Sequence, residues 1–390
     1  MAINERRWVI PAFWDKEYLV ELEKEGLIPS IYEVYGSLSS SPMGSMRTRA
    51  SLPEATTKDI GDFVQKLHTK GIKFSYALNA MTFRNSEYTA GGRKEIFKFL
   101  DWLKEIRADS VIIANPFLAK LIKEHYTFEV SVSSVACVDS VQKAADWQEM
   151  KVASIKLPLV ANRNFLLLRS IIKNTTAEVE VMVNQLCLYQ CPFERYHTVT
   201  TYTDSQAAKR WGKAPAFLDW CRLNCNLIRW GNPAELIKSP FIRPEDVPLY
   251  RRCGVKFFKI VGRNKRMRNR IVTVIKAYQT GKWPGNLLDI VGINENPPPF
   301  EMTQYYPASD FEKYFTEPLY YVDNPKLAGF INYFIENGQK CSYLCGTCQY
   351  CDQTANRVVR LPSEERLKKF LDALNELDAA TKTKESRLFA

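Results

Sequence analysis

Short apolar, β-branched runs alternate along this chain with longer stretches whose apolar residues recur at helical spacing. The runs that predict strands are residues 8–13, 31–35, 73–78, 110–114, 127–132, 152–157, 178–183 and 255–261. Amphipathic stretches at 57–70, 92–107, 141–148, 163–173 and 266–280 predict helices between them. In the first, Thr57 is the expected N-cap, and Ile60, Phe63, Val64 and Leu67 fall on one face. Apolar strands separated by helical crossovers imply a parallel sheet covered on both sides. An open doubly wound sheet would satisfy that pattern, but eight units closed as a (β/α)8 TIM-like barrel fit the length better.

Polar residues at the strand exits support the barrel, whose chemistry gathers at the C-terminal ends of its strands. The exits carry Asn79, Asn115, Ser133-Ser134, Asn184 and Gly262-Arg263. Any one of these could simply start a turn; together they suggest a lined mouth. Two connections are long. Residues 36–55 hold Arg47 and Arg49, and the segment after strand seven forms an insertion over 185–250. We expect a barrel domain over 1–282 and a small Cys-rich extension over 283–390, joined by a linker at 294–299. Its last helix is expected over 363–377, with residues 381–390 frayed.

The chain has 54 Lys and Arg against 43 Asp and Glu, a net charge of +11, which suits an anionic partner without choosing one. No apolar run approaches the ~20 residues of a membrane span. With no secretory leader and many clustered thiols, the expected location is the reducing cytoplasm.

Ten cysteines change the picture most. Cys187-x3-Cys191 leaves strand seven at the mouth, and Cys221-x3-Cys225 follows in a Trp- and Leu-rich context. Four thiolates suit zinc or a 4Fe-4S cluster; the wider x3 spacing favours the cluster over a zinc knuckle. Cys341-x3-Cys345-x2-Cys348-x2-Cys351 is denser. Its first three positions match radical S-adenosylmethionine spacing, but no barrel follows it and Cys351 would fill the site that cofactor needs. A second 4Fe-4S cluster is expected there, with zinc as the alternative. Cys137 reads as a small buried hydrophobe.

Only three histidines exist. His68 falls on a surface helix and His125 before strand five; His197, within the insertion, is the candidate acid–base group or a hydrogen-bonded loop residue. No HExxH, GxSxG or P-loop motif occurs. Arg263, the candidate catalytic and anion-orienting cation, precedes Lys265, Arg266, Arg268 and Arg270 at the expected start of helix eight, a place where barrels often take phosphate. Arg47 and Arg49 would supply further guanidinium contacts, and Asn79, Asn115 and Asn184 would hydrogen-bond the substrate.

From about Ile72 to Arg263 the chain resembles the collagenase-like peptidase family U-32. The resemblance runs through Tyr76-Ala77-Leu78-Asn79, 110–115, 130–133 and 178–184 leading into Cys187. It ends with 241–246 and Lys259-Ile260-Val261-Gly262-Arg263. It implies a barrel-type catalytic domain with a four-cysteine 4Fe-4S cluster, and relatives that hydroxylate a quinone ring or RNA bases without dioxygen, some drawing on prephenate. This sequence departs from that pattern. The first two cysteines are closer than usual, the cysteine expected near Ile242 is missing, so that Cys225 or Cys253 takes its place, and the Cys-rich tail is an addition. The expectation is an oxygen-independent iron–sulfur enzyme hydroxylating an anionic small molecule or RNA base, supplied by an external electron donor. A peptidase, or a non-catalytic RNA-associated protein, are the rivals; no aromatic RNA-recognition pair supports the last.

Overall fold

The computed structural model describes residues 6–207, 218–292, 318–336, 341 and 345–383. The expected linker at 294–299 lies outside them. Strands β1 (Trp8–Pro11), β2 (Ile31–Gly36), β3 (Lys73–Leu78), β4 (Ser110–Ile113), β5 (Glu129–Val132), β6 (Ser154–Lys156), β7 (Glu178–Met182) and β8 (Phe257–Lys259) form a closed barrel. Every neighbouring pair is parallel, and β1 closes on β8 with Trp8 opposite Phe258 and Val9 opposite Lys259. The (β/α)8 class read from the sequence is therefore the fold.

Helices are set by caps that short polar residues supply. The helix at Thr57–Thr69 is capped by Thr56, not Thr57: Thr56 Oγ1 accepts from Asp59 N while Asp59 Oδ2 accepts from Thr56 N, satisfying two otherwise orphaned donors. The helix after β8 begins at Ile271, later than its sequence pattern suggested. The basic run before it is consumed locally: Arg268 grips Asp15 and Glu21, and Lys265 pairs with Glu54. The expected phosphate site at a basic helix start is thus replaced by ion pairs that tie this corner to the first helix.

Alternate strand residues part into two environments. Ile10, Val34, Phe74, Val111, Val130, Ile155 and Val181 pack outward into the main core, whereas Val9, Tyr35 and Ile112 form a separate small cluster inside. Several other inward positions are polar and buried, among them Glu33, Ser75, Ser131, Lys156, Glu180 and Lys259. Barrels of this class usually fill that space with branched apolar side chains. Here Lys156 Nζ donates to Ser131 Oγ at 2.8 Å and to Glu180 Oε2 at 2.9 Å. Burial opposes the Lys156 charge, but Glu180 and Glu33 outweigh it and hold its pKa above the usual lysine value. Burial pushes the Glu33 carboxyl up.

The insertion between β7 and β8 folds as α-helices Glu194–Ala207, Trp220–Gly231, Ala234–Lys238 and Val247–Arg252. The C-terminal extension docks on it. Tyr320 Oη donates to the Trp230 carbonyl at 2.9 Å, and Trp230 meets Phe370 of the last helix, Glu364–Thr381, edge-on. That helix outruns its expected end at 377; of the expected frayed tail, residues 384–390 lie outside the described part.

Replacing Glu180 by Gln leaves Lys156 a buried cation without its ion-pair partner. We expect a loss of about 3–5 kcal/mol in urea unfolding, and recovery of most of it in the double variant Lys156→Met, Glu180→Leu.

Candidate active site at the barrel mouth

Three cations meet at the C-terminal rim around the Tyr35 ring. Lys259, inward-facing on β8, places Nζ 3.8 Å from the ring centroid. Four residues on, Arg263 returns to the same side, with its guanidinium carbon 5.3 Å from that centroid and Nη1 donating to Ser37 Oγ at 2.8 Å. Gly262 between them has a φ of 140°, a backbone state that favours glycine, so the Lys-Ile-Val-Gly-Arg run bends to bring both cations to one place. Arg47 is close enough for its charge to act on both Tyr35 and Arg263.

No carboxylate among the described residues lies within ion-pair distance of Arg47, Lys259 or Arg263, and the buried Nε of Arg263 has no hydrogen-bond partner. Burial and the Arg47 charge push Arg263 down to about 10, and burial with the Lys156 charge pushes Lys259 down to about 7. Burial raises Tyr35 to about 12, so its phenol stays protonated, donating to the Ile260 carbonyl at 3.2 Å.

The loop after β2 holds Arg47 over this floor. Met46 N donates to Asn79 Oδ1 at 3.0 Å, Asn79 Nδ2 to Ser133 Oγ at 3.0 Å, and Ser45 N to Ser205 Oγ at 2.9 Å. Gly44, at a φ of 66°, lies so close to Ser205 and Gln206 that a Cβ would collide. Arg49 forks onto the buried Asp204 at 2.9 Å, and its backbone N–H reaches the same carboxylate. Arg49 and Asn79 therefore fasten the loop, and their polar groups are engaged in doing so. Asn115 caps a helix by accepting from Leu118 N at 3.1 Å. Asn184, fully buried, exchanges two hydrogen bonds with Val261 and extends the β7–β8 ladder. Of the expected substrate contacts, Arg47 and Arg263 come together, while Arg49 and the three asparagines are used in building the rim. Sequence reasoning missed Lys259, Tyr35 and Ser37. The available signal was a second cation, Arg263, four residues after the lone Lys259 of β8 and just past a glycine.

Thiols flank the mouth. On the helix Trp220–Gly231, Cys221, Cys225 and Arg229 follow one another at one-turn spacing. Arg229 Nη2 donates to Cys225 Sγ at 3.5 Å, and its charge also reaches Cys191. Burial, then the Asp219 and Cys191 charges, pushes the Cys221 thiol up to about 12. Cys191, Cys221 and Cys225 are thus neighbours around Arg229. Cys187 stands at the β7 exit, its N–H donating to Ser239 Oγ at 3.0 Å. His197 Nε2 lies 3.0 Å from Asp219 Oδ2, and Asp219 also caps the thiol helix through Arg222 N. Burial opposes the Asp219 charge, but His197 holds its carboxyl below the ordinary value. His197 therefore sits beside the thiol helix. Cys253 ends the helix Val247–Arg252 just before β8 begins. It lies at the opposite rim and cannot stand in for a mouth ligand. Among the described residues no three Cys, His, Asp or Glu side chains are gathered closely enough to hold a single metal ion.

A closed parallel barrel with a cationic, thiol-flanked mouth defines this as a (β/α)8-barrel protein. It belongs to peptidase family U32, whose profile matches residues 31–282. An uncharacterized protease of Methanocaldococcus jannaschii is 31% identical over 314 residues, covering 80% of this chain and 85% of that protein. A solved U32 peptidase structure aligns over 52% of this chain and 77% of its own, at 18% identity and a TM-score of 0.44. No helix among the described residues is long and apolar enough to cross a membrane.

Inorganic phosphate should raise the Tm of the native protein, and Arg263→Met should abolish that gain. With sulfate, whose charge is constant across this range, the gain should be larger near pH 6 than near pH 8, because Lys259 takes its proton as pH falls through about 7. Without any ligand, the native state binds fewer protons than the unfolded chain between about 7 and 10.5, so stability rises with pH across that window. Lys259→Met should remove this part of the slope in thermal melts.

Proposed function

We propose that this chain is an iron–sulfur enzyme of oxygen-independent redox chemistry, hydroxylating an anionic small molecule or an RNA base. The observation that carries the reading is the set of mouth cations, buried Lys259 and Arg263 with half-buried Arg47, none with a carboxylate within ion-pair distance among the described residues, next to gathered thiols. A buried guanidinium without a counter-charge costs several kcal/mol, and an anionic substrate would supply that charge.

Cys191, Cys221 and Cys225, with Cys187 at the adjoining strand exit, would hold the mouth cluster. The donor set fits: soft thiols with a neighbouring cation in Arg229. When bound, such a cluster supplies one-electron transfer. The remaining work falls to the chain. Arg263 and Arg47 orient the anion, Tyr35 keeps Lys259 and Arg263 stacked above the barrel floor, and Lys259 exchanges a proton near neutral pH. His197, through Asp219, positions the thiol helix. With water as the oxygen source, hydroxylation of R–H to R–OH releases two protons and two electrons, so the external redox partner such chemistry needs is an electron acceptor rather than the expected donor.

The second reading is a peptidase, favoured by the name of the Methanocaldococcus relative. Anaerobically purified protein should be brown and give an iron–sulfur electron paramagnetic resonance signal, and Cys221→Ser should remove about four irons per chain. Colourless protein carrying stoichiometric zinc would overturn the redox reading. Cleavage of a denatured collagen-like substrate that persists in Cys187→Ala would establish the peptidase instead.

A further inference from the structure

The C-terminal extension carries a second set of thiols outside the barrel mouth, and its arrangement stands on its own. Cys345–Cys348 make one helical turn. Gln349 then adopts a φ of 52°, which breaks the helix and lets the next one, Tyr350–Val358, start in a new direction with Cys351 in its first turn. That break brings Cys351 to the cavity that Cys345 and Cys348 line. Cys341, Cys345, Cys348 and Cys351 all line one cavity of about 310 Å³ of atom-free space, part of it open to solvent.

The cavity wall suits a sulfur-ligated group larger than an ion. One side is aromatic: Tyr333 and Tyr350 stack at 4.0 Å, and Phe334 meets both nearly edge-on. Tyr333 Oη and Cys348 Sγ share a hydrogen bond at 3.2 Å, the kind of contact to a ligand sulfur that sets a cluster's potential. Four thiolates are net anionic, and cations stand near them. Lys238 lines the cavity, and Arg163 lies 4.9 Å behind the Phe334 ring. All four cysteines are free thiols, and no three are close enough for a single ion. The cavity also abuts the barrel loop: Cys341 Sγ lies 4.0 Å from the hydroxyl of Tyr189, midway between Cys187 and Cys191.

We propose that Cys341, Cys345, Cys348 and Cys351 ligate a second iron–sulfur cluster of the 4Fe-4S type, seated against Tyr189 of the barrel's own thiol loop. This site does not depend on the reading of the mouth.

The test uses the full chain purified anaerobically, with iron, acid-labile sulfide and zinc measured per chain. The double variant Cys345→Ser, Cys348→Ser should lose about four irons and four sulfides relative to the parent, while Cys221→Ser keeps them. Tyr333→Phe, which leaves every ligand in place, should keep the iron and shift the reduction potential of one centre. Total iron of about four, all lost in the tail double variant, supports this site and overturns the mouth cluster. Parental iron content in the tail double variant, or loss of one zinc in place of iron, would overturn the tail site, as would an unchanged potential in Tyr333→Phe.

Discussion

A cation taken out of water needs an opposite charge close by, and this barrel meets that need at one level and not at the next. In the lower layer, Lys156 rests between Glu180 and Ser131 with Glu33 near, a polar plug whose charges are matched. One layer up, Lys259 and Arg263 pack against the face of Tyr35 and Arg263 reaches the hydroxyl of Ser37, with no carboxylate of the described residues within ion-pair distance of either. Cation–π contact contributes about 1–2 kcal/mol, well short of what burying a guanidinium costs. The imbalance gives the site its direction. The rest of the rim is built to keep it: the loop bearing Arg47 is pinned by Asn79, by Ser205 and by the Arg49–Asp204 fork, so the third cation is held over the other two.

The insertion and the extension behave as one layer on top of that rim. The turn after β6 is their hub. Asn162 donates to the carbonyls of Met182 and Pro240, Arg163 donates to the Ser239 carbonyl, and Ser239 Oγ receives the Cys187 N–H. Arg163 also lies over the rings of Phe241, Phe330 and Phe334, the last of which walls the tail cavity. A single buried arginine thus joins the insertion, at Ser239 and Phe241, to the extension, at Phe330 and Phe334. Arg243 repeats the pattern lower down, gripping Asp246 while donating to the Asn324 carbonyl.

The barrel was legible because the strand faces that meet helices are apolar, and because polar residues stop the strands at the mouth. Strand ends were less so. Ala12 and Phe13 are as buried as the ladder before them, so the apolar run overshoots the last pairing residue of β1. The polar interior was readable only in hindsight: Glu33, Lys156, Glu180 and Lys259 are single interruptions in apolar runs, and a lone charge in a strand gives no sign of the partner it meets across the barrel. The thiol pairs announced themselves by spacing. The asparagines at the strand exits did not reveal their roles, since an amide that caps a helix and one that binds a ligand look alike until its partners are known. Asn115 and Asn184 proved to be a cap and a ladder rung. Arg49 and Arg47, two residues apart, were equal candidates until Asp204 engaged one of them.

The helix Glu194–Ala207 joins regions far apart in the chain. At one end His197 reaches Asp219, the cap of the helix that bears Cys221 and Cys225; at the other, Asp204 and Ser205 anchor the loop that carries Arg47. It is a strut with a thiol bundle at one end and a guanidinium at the other. Whatever fills the thiol bundle and stiffens that strut narrows the range of Arg47, and whatever Arg47 grips steadies the thiols in return. By linkage the two occupancies are reciprocal, each site reporting to the other through a few turns of helix.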